Sequence, residues 1–275
     1  MSIEVSLPNG MVVSCHQKHE VPLVQLEIQS YFGNGMQLNA GDTMFDVGAN
    51  IGLFSLAAYH HCDRDLRIFA FEPVAPIFEL LQANCERNTT RPDVSVFRCG
   101  LSHRSGSVDF AYYPRAPVLS TAYPDREADL KILKEIVVNR LIHLAEAPVA
   151  LRGLRWVPGP MRGPLVDWVL RRALVPVTAR CEMRTLSEVM SEYGVGRIDL
   201  LKVDVEKAEL DVLNGIDAKD WPKIQQVVVE VHDLDRRVET TRRLLMAAGL
   251  RSISMEQPAT LKGSNIFTIF ATRNP

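Results

Sequence analysis

Short, almost wholly apolar runs separated by amphipathic segments constrain this chain more than any other feature. "TMFDV" at 43–47, "LRIFAFE", "DVSVFRCG", "IDLLKVDVE" and "IQQVVVEVHD" each have the length of a strand and little polar alternation. A strand wet on one face would alternate; strands apolar throughout are covered on both faces, as in a parallel sheet between helices. Helical spacing follows from about Gly52, over Pro76 to Arg87, over Glu206 to Asn214 ending at Gly215, and over Leu234 to Ala248. The spacing therefore predicts an α/β fold with a mostly parallel sheet and helices on both faces. "LRSISME" and "NIFTIFATR" close the chain as two strands antiparallel to each other. "EVSLPNGMVVSC" reads as a hairpin turning at Pro8-Asn9-Gly10, and "VPLVQLEIQSYF" as a helix.

One segment breaks the rhythm. Pro114 to Arg180 separates the third and fourth runs and is far longer than an α/β connection needs. It holds two helical stretches, "DLKILKEIVVNRLIHLAEA" and "PLVDWVLRRAL", between Pro/Gly-rich turns. Its second half is basic, with Arg152, Arg155, Arg162, Arg171, Arg172 and Arg180 against Asp167 alone. We read one domain over 1–275, with a hairpin and helix over 1–40 and a helical cap inserted over 114–180.

Composition excludes several classes. The 31 basic residues nearly cancel the 33 acidic ones, which removes a global attraction to nucleic acid. No apolar run is long enough to span a membrane, and "MSIEVSLPNG" does not read as a signal peptide. Five scattered cysteines with no C-x-x-C pair point to free thiols in a reducing, cytoplasmic setting rather than a zinc site.

The chemistry concentrates where the first run meets its helix. Asp46-x-Gly48-x-Asn50-x-Gly52 ends the run, with Ile51 inside the turn. Glycine admits positive φ and lets a ligand lie against backbone, and N–H groups at a helix start receive anions. A dinucleotide loop reads G-x-G-x-x-G instead, and a pyrophosphate would meet the Asp46 carboxylate. A sulfonium with an α-ammonium, as in S-adenosylmethionine, suits that acid; a helix cap at Asp46 is the structural alternative. Glu72 ends the second run 20 residues past Gly52, fixed by Pro73. An acid there accepts hydrogen bonds from both ribose hydroxyls of an adenosine. Gly100 and Leu101, after the third run, are placed to flank an adenine ring.

"FDVGANIGLFSL", "FAFEPVAPIFELLQAN", "CGLS" and "LLKVDVEKAELDVLNG" together resemble the FkbM family of S-adenosylmethionine-dependent methyltransferases. The likeness runs from about Leu23 to the end, the insertion excepted, and the opening resembles members embedded in polyketide and peptide synthases. It implies a class I methyltransferase fold, Rossmann-like, with seven strands of which the last is antiparallel, and methyl transfer to a hydroxyl oxygen. It also implies a helix carrying Glu27 and Tyr31, spaced i, i+4, over the cofactor site; the alternative is an exposed polar stripe. The chain departs from the family at Lys207, where glycine is usual, which adds a cation near the acceptor.

Methyl transfer asks for an acceptor oxygen held in line, exclusion of water, and a base or metal for an aliphatic hydroxyl. Asp204 and Glu206 end the fourth run, and Glu230 and His232 end the fifth. His232 is the expected general base, since imidazole titrates near working pH. Asp204 faces the cofactor's ammonium or, with Glu230, binds a divalent metal, a requirement not favoured because no paired-ligand spacing is present. The expected partner is a small-molecule or carrier-bound hydroxylated substrate, with S-adenosylhomocysteine as the second product. The arginines of the cap would meet a phosphopantetheine arm or an acidic carrier protein, or simply form a solvated face. Rival readings are an N-methyltransferase on the same scaffold, an NAD-dependent oxidoreductase, and a non-catalytic cofactor-binding module.

Overall fold

Each of the five apolar runs becomes a strand in the computed structural model, which describes residues 2–7, 9–18, 21, 35–89, 93–139, 153–257, 261 and 263–273. In chain order the elements are β1 (Ile3–Ser6), β2 (Val12–Cys15), β3 (Thr43–Val47), α1 (Leu53–His61), β4 (Arg67–Phe71), α2 (Ala75–Asn88), β5 (Val94–Phe97), β6 (Gly100–Leu101) and β7 (Gly106–Tyr112). Then come α3 (Arg126–Asn139), α4 (Gly159–Ala173), β8 (Val177–Arg184), α5 (Leu186–Glu192), β9 (Leu200–Val203) and α6 (Glu209–Asn214). The chain closes with β10 (Gln226–His232), α7 (Arg237–Ala247), β11 (Ser252–Glu256) and β12 (Ile266–Thr272).

Seven strands form the main sheet in the order β11-β12-β10-β9-β3-β4-β5. Pairings from β10 through β9, β3 and β4 to β5 are all parallel, and β12 alone runs antiparallel to both of its neighbours. This is the class I methyltransferase topology. Successive residues of a strand enter opposite apolar layers. Met44, Ile68 and Ala70 face Leu53, Leu56, Ile77 and Leu81 of α1 and α2. Phe45, Phe69 and Phe71 face Leu186, Val189, Val212 and Leu245 of α5, α6 and α7. Two buried layers around one sheet explain why the strands carry so few polar residues.

The hairpin forms as expected, with Ser6 opposite Val12. Its following helix, with Glu27 and Tyr31, lies outside the described residues. Elsewhere the structure corrects four boundaries. "DVSVFRCG" is not one strand: β5 stops at Phe97, and Gly100–Leu101 joins a second sheet ordered β6-β8-β7. β8 starts at Val177, so residues 177–180 belong to that sheet and not to the cap. α6 starts at Glu209 rather than Glu206, because Glu206 and Lys207 adopt left-handed backbone at φ 45° and 76°. α7 starts at Arg237 rather than Leu234, because Asp235 and Arg236 do the same at φ 53° and 63°.

Between β7 and β8, α3 and α4 pack through Val137 and Val166 with Leu154, and their ends close over Tyr113 and Leu174. All five cysteines are buried, and none forms a disulfide. No helix among the described residues is long and apolar enough to cross a membrane.

Candidate active site

A cavity of about 340 Å³ opens at the carboxyl ends of β3, β4, β9 and β10 and is roofed by residues 113–133 and Leu174. That volume lies within the roughly 300–1,000 Å³ of small-molecule sites. The place is the one the architecture favours, outside the strand ends where the strand order reverses.

The glycine turn forms one wall. Gly48, Asn50 and Gly52 all have positive φ, at 78°, 51° and 88°. A Cβ on Gly48 would sit 1.8 Å from the Asp204 carbonyl oxygen, so the turn presses directly on the end of β9. The turn is not an open row of donors for an anion, however. Gly48 and Ala49 N–H both donate to Phe71 O, Gly52 N–H donates to Ala49 O, and Asn50 N–H donates to the Glu72 carboxylate.

Asp46 does not reach the cavity, a correction to the sequence expectation. It is fully buried beneath the turn, where Oδ2 accepts a hydrogen bond from Ser55 Oγ at 2.6 Å and Oδ1 lies 3.1 Å from Lys202 Nζ. Lys202 also donates to Gly48 O at 3.0 Å and lies 3.4 Å from Asp204. Burial alone would pull the lysine down, but Asp46 and Asp204 outweigh it and hold Lys202 above its ordinary value. A buried ammonium placed among apolar strands requires such a counter-charge. The lysine inside "LLKVD" was the available sequence signal for this pair.

Glu72 is where the sequence puts it, on the cavity wall beside Pro73. Val74 N–H donates to its Oε1 at 2.9 Å. Burial pushes the carboxyl up to about 7, and the Val74 and Asn50 N–H groups and Lys202 only partly oppose that. A desolvated carboxylate with acceptor capacity left is matched by a diol that brings two O–H donors. Gly48, Asn50, Ile51, Gly100 and Leu101 also line the cavity, whereas Gly52 turns its α-carbon toward Leu81 of α2. Met183 of β8 packs against Gly100 so closely that a Cβ there would meet Met183 Cε at 2.7 Å.

Asp204, Glu206, Glu230 and His232 also line the cavity, with the Asp204 backbone directly against Gly48. The structure overturns His232 as the free general base. Its Nδ1 lies 2.9 Å from Glu209 Oε1 and its Nε2 lies 3.3 Å from Glu206 Oε2, so a carboxylate faces each ring nitrogen. Burial works to lower the imidazole, yet hydrogen bonds and charge from Glu206 and Glu209 prevail and raise it well above the usual histidine value. A carboxylate facing each ring nitrogen favours the charged ring and leaves neither nitrogen open to a ligand. Glu206 is raised in turn, chiefly by burial and against the pull of His232. Glu209, fully buried, was not legible as a site residue, because a glutamate in a short helix start carries no distinguishing pattern. Among the described residues no group of three or more His, Cys, Asp or Glu side chains is arranged to hold a metal ion.

The loop after β9 is tied to the cap. Thr121 Oγ1 donates to Glu206 O at 2.6 Å, and Lys207 Nζ donates to Tyr123 O at 3.4 Å. Arg237 reaches Lys207 O from the other side. The arginines of the segment 114–180 divide. Arg171 pairs with Glu127 and Asp167, Arg180 pairs with Asp109, Arg162 donates to backbone carbonyls, and Arg155 and Arg172 lie over Trp156 and Trp168. Arg152 lies outside the described residues.

Residues 170–251, from the end of α4 to the loop before β11, match the family described as "Methyltransferase FkbM domain". Across 270 residues the chain is 33% identical to the 31-O-demethyl-FK506 methyltransferase FkbM of Streptomyces tacrolimicus, covering 97% of this chain and 95% of that enzyme. The chain belongs to the FkbM methyltransferase family. This FkbM-family chain is also 34% identical over 281 residues to the AMB antimetabolite synthetase AmbE of Pseudomonas aeruginosa. That match takes in 98% of the chain but only 12% of the synthetase. A third relative, methyltransferase sdnD of Sordaria araneosa, is 35% identical over 193 residues, 67% of this chain and 64% of that protein. Membership makes the protein a methyltransferase and implies S-adenosylmethionine as its cofactor. It sets aside the oxidoreductase reading. Lys207 adopts left-handed backbone at φ 76°, a conformation that glycine suits better.

Proposed function

We propose that this FkbM-family enzyme methylates a hydroxyl oxygen of a natural-product intermediate of polyketide, peptide or sugar type, using S-adenosylmethionine. The observation that carries the reading is the set of acids in one cavity: Glu72 beside the glycine turn, and Asp204 with Glu206 after β9. Glu72 would hold the ribose hydroxyls, Leu101 and Pro73 the adenine, and Asp204 the ammonium, with its charge shared by Lys202 at 3.4 Å. When bound, the cofactor supplies a methyl group already activated on a sulfonium.

The chain's own part is to orient and to exclude water. Pro117, Leu119, Leu133 and Leu174 give the cap side of the cavity an apolar lining, which favours a largely apolar acceptor and keeps solvent from the methyl group. The cap over 114–176 would select that acceptor. The name of the Streptomyces relative supports a hydroxyl oxygen, and the synthetase relative supports an acceptor presented on a longer assembly.

Incubation with S-adenosylmethionine and matched panels of hydroxyl and amine acceptors, read by mass spectrometry, tests the reading. A gain of one methylene on hydroxyl acceptors is expected. Gain on amines alone would replace it with N-methylation.

A further inference from the structure

The mechanism so far leaves a buried network unused. Glu209, His232 and Glu206 form a chain from the interior to the cavity: 2.9 Å from Glu209 Oε1 to Nδ1, then 3.3 Å from Nε2 to Glu206 Oε2. The Glu209 side chain is fully buried, that of His232 is 6% exposed and that of Glu206 is 23% exposed, so only the last offers an oxygen to a ligand. We propose that Glu206 takes the proton of the acceptor hydroxyl during methyl transfer, and that Glu209, acting through His232, is the positioning residue that holds Glu206 ready.

This rests on the reading of the protein as an O-methyltransferase. The acceptor oxygen forms the new bond to the methyl carbon as the methyl–sulfur bond breaks, and its proton passes to a Glu206 carboxylate oxygen. Uptake of a proton lowers the negative charge of the two glutamates around the ring, and in a site shielded from water that favours the transfer. His232 fixes one Glu206 oxygen and leaves the other for the substrate. Glu209 fixes the ring: its Oε1 also accepts Lys207 N–H at 2.9 Å, and Arg237 lies 3.9 Å from its other oxygen.

The backbone agrees with a working role. Glu206 has φ 45°, and its carbonyl is anchored by Thr121 Oγ1 at 2.6 Å. Unfavourable backbone held by its surroundings collects at functional sites. Asp204 is the competing acceptor. It lies 3.4 Å from Lys202, and protonating it would leave that ammonium with Asp46 alone. Among the described residues Asp204, just after β9, and Arg237 of α7 act on the network, while Lys202, Lys207 and Glu230 line the same cavity.

Histidine-15N NMR of the intact protein without ligand gives a readout independent of turnover. In the wild type the His232 titration should lie well above that of an ordinary histidine. Glu209→Gln should bring the titration down toward about 6.5, and the acid limb of the pH–rate profile should move with it. Glu206→Gln should lower kcat by about 10²–10⁴-fold, with affinity for S-adenosylhomocysteine changed less than about threefold. If Glu209→Gln fails to fold, the wild-type titration still decides the network. A wild-type His232 titrating near 6.5, or Glu206→Gln turning over a hydroxyl acceptor at the wild-type rate, overturns the proposal. A wild type that methylates amines but no hydroxyl overturns the underlying O-methylation reading instead, and with it Glu206 as acceptor of a hydroxyl proton.

Discussion

Lys202 Nζ lies 3.1 Å from Asp46 Oδ1, and the two residues are register partners on adjacent parallel strands, β9 and β3. Both are buried. The pair stitches the centre of the sheet directly under the glycine turn. Through Gly48 O and Asp204 it positions the two strand ends that form one side of the cavity.

Removing one partner strands the other. Lys202→Met would leave Asp46 buried with only Ser55 as its hydrogen-bond donor. The expected loss is about 3–5 kcal/mol, measured by urea denaturation. Lys202→Met combined with Asp46→Asn should recover much of it, since no buried charge is then unpaired. A single-mutant loss below about 1 kcal/mol would show the pair to be solvated.

Glu72 makes stability depend on pH in a defined direction. Its folded value, raised by burial to about 7 from 4.5, means the folded protein binds this proton more tightly than the unfolded chain. The contribution is present in full below about pH 4.5 and is lost as pH rises to about 7. It reaches roughly 3 kcal/mol, an order-of-magnitude figure. Thermal unfolding without ligand should therefore show Glu72→Gln more stable than wild type near pH 8, with the gap closing toward pH 5. The same substitution should weaken S-adenosylhomocysteine binding about tenfold or more, through loss of a charged acceptor.

Gly48 admits no side chain. Its φ of 78° strains any other residue, and an added Cβ would overlap the Asp204 carbonyl. Gly48→Ala should cost at least about 3 kcal/mol and abolish cofactor binding. Gly196→Ala, where nothing lies within 4 Å, is the control and should stay within about 0.5 kcal/mol.

Strands were legible in this sequence because burial on both faces leaves an almost unbroken apolar signature, as in "IFAF" and "VVVEV". The place of Glu72 at the cavity was legible because it closes the second apolar run just before Pro73. Asp46 misled because its partner is distant in sequence: Lys202 meets it only once β9 docks on β3. His232 misled similarly, since its character is set by Glu206 and by Glu209, neither on its own strand. Helix starts at Glu209 and Arg237 came later than periodicity suggests, because left-handed residues before each one interrupt the turn without altering the apolar spacing. The small sheet of β6, β7 and β8 escaped notice although β8, "VTARCEMR", alternates apolar and polar residues, because its first half fell inside the long segment assigned to the cap.

Isothermal titration calorimetry of the folded protein with S-adenosylhomocysteine, beside Glu72→Gln, tests the central claim most directly. Saturable heat at one site per chain is expected, much weakened in the variant. Absence of heat from the wild type, or equal affinity in the two proteins, would contradict it.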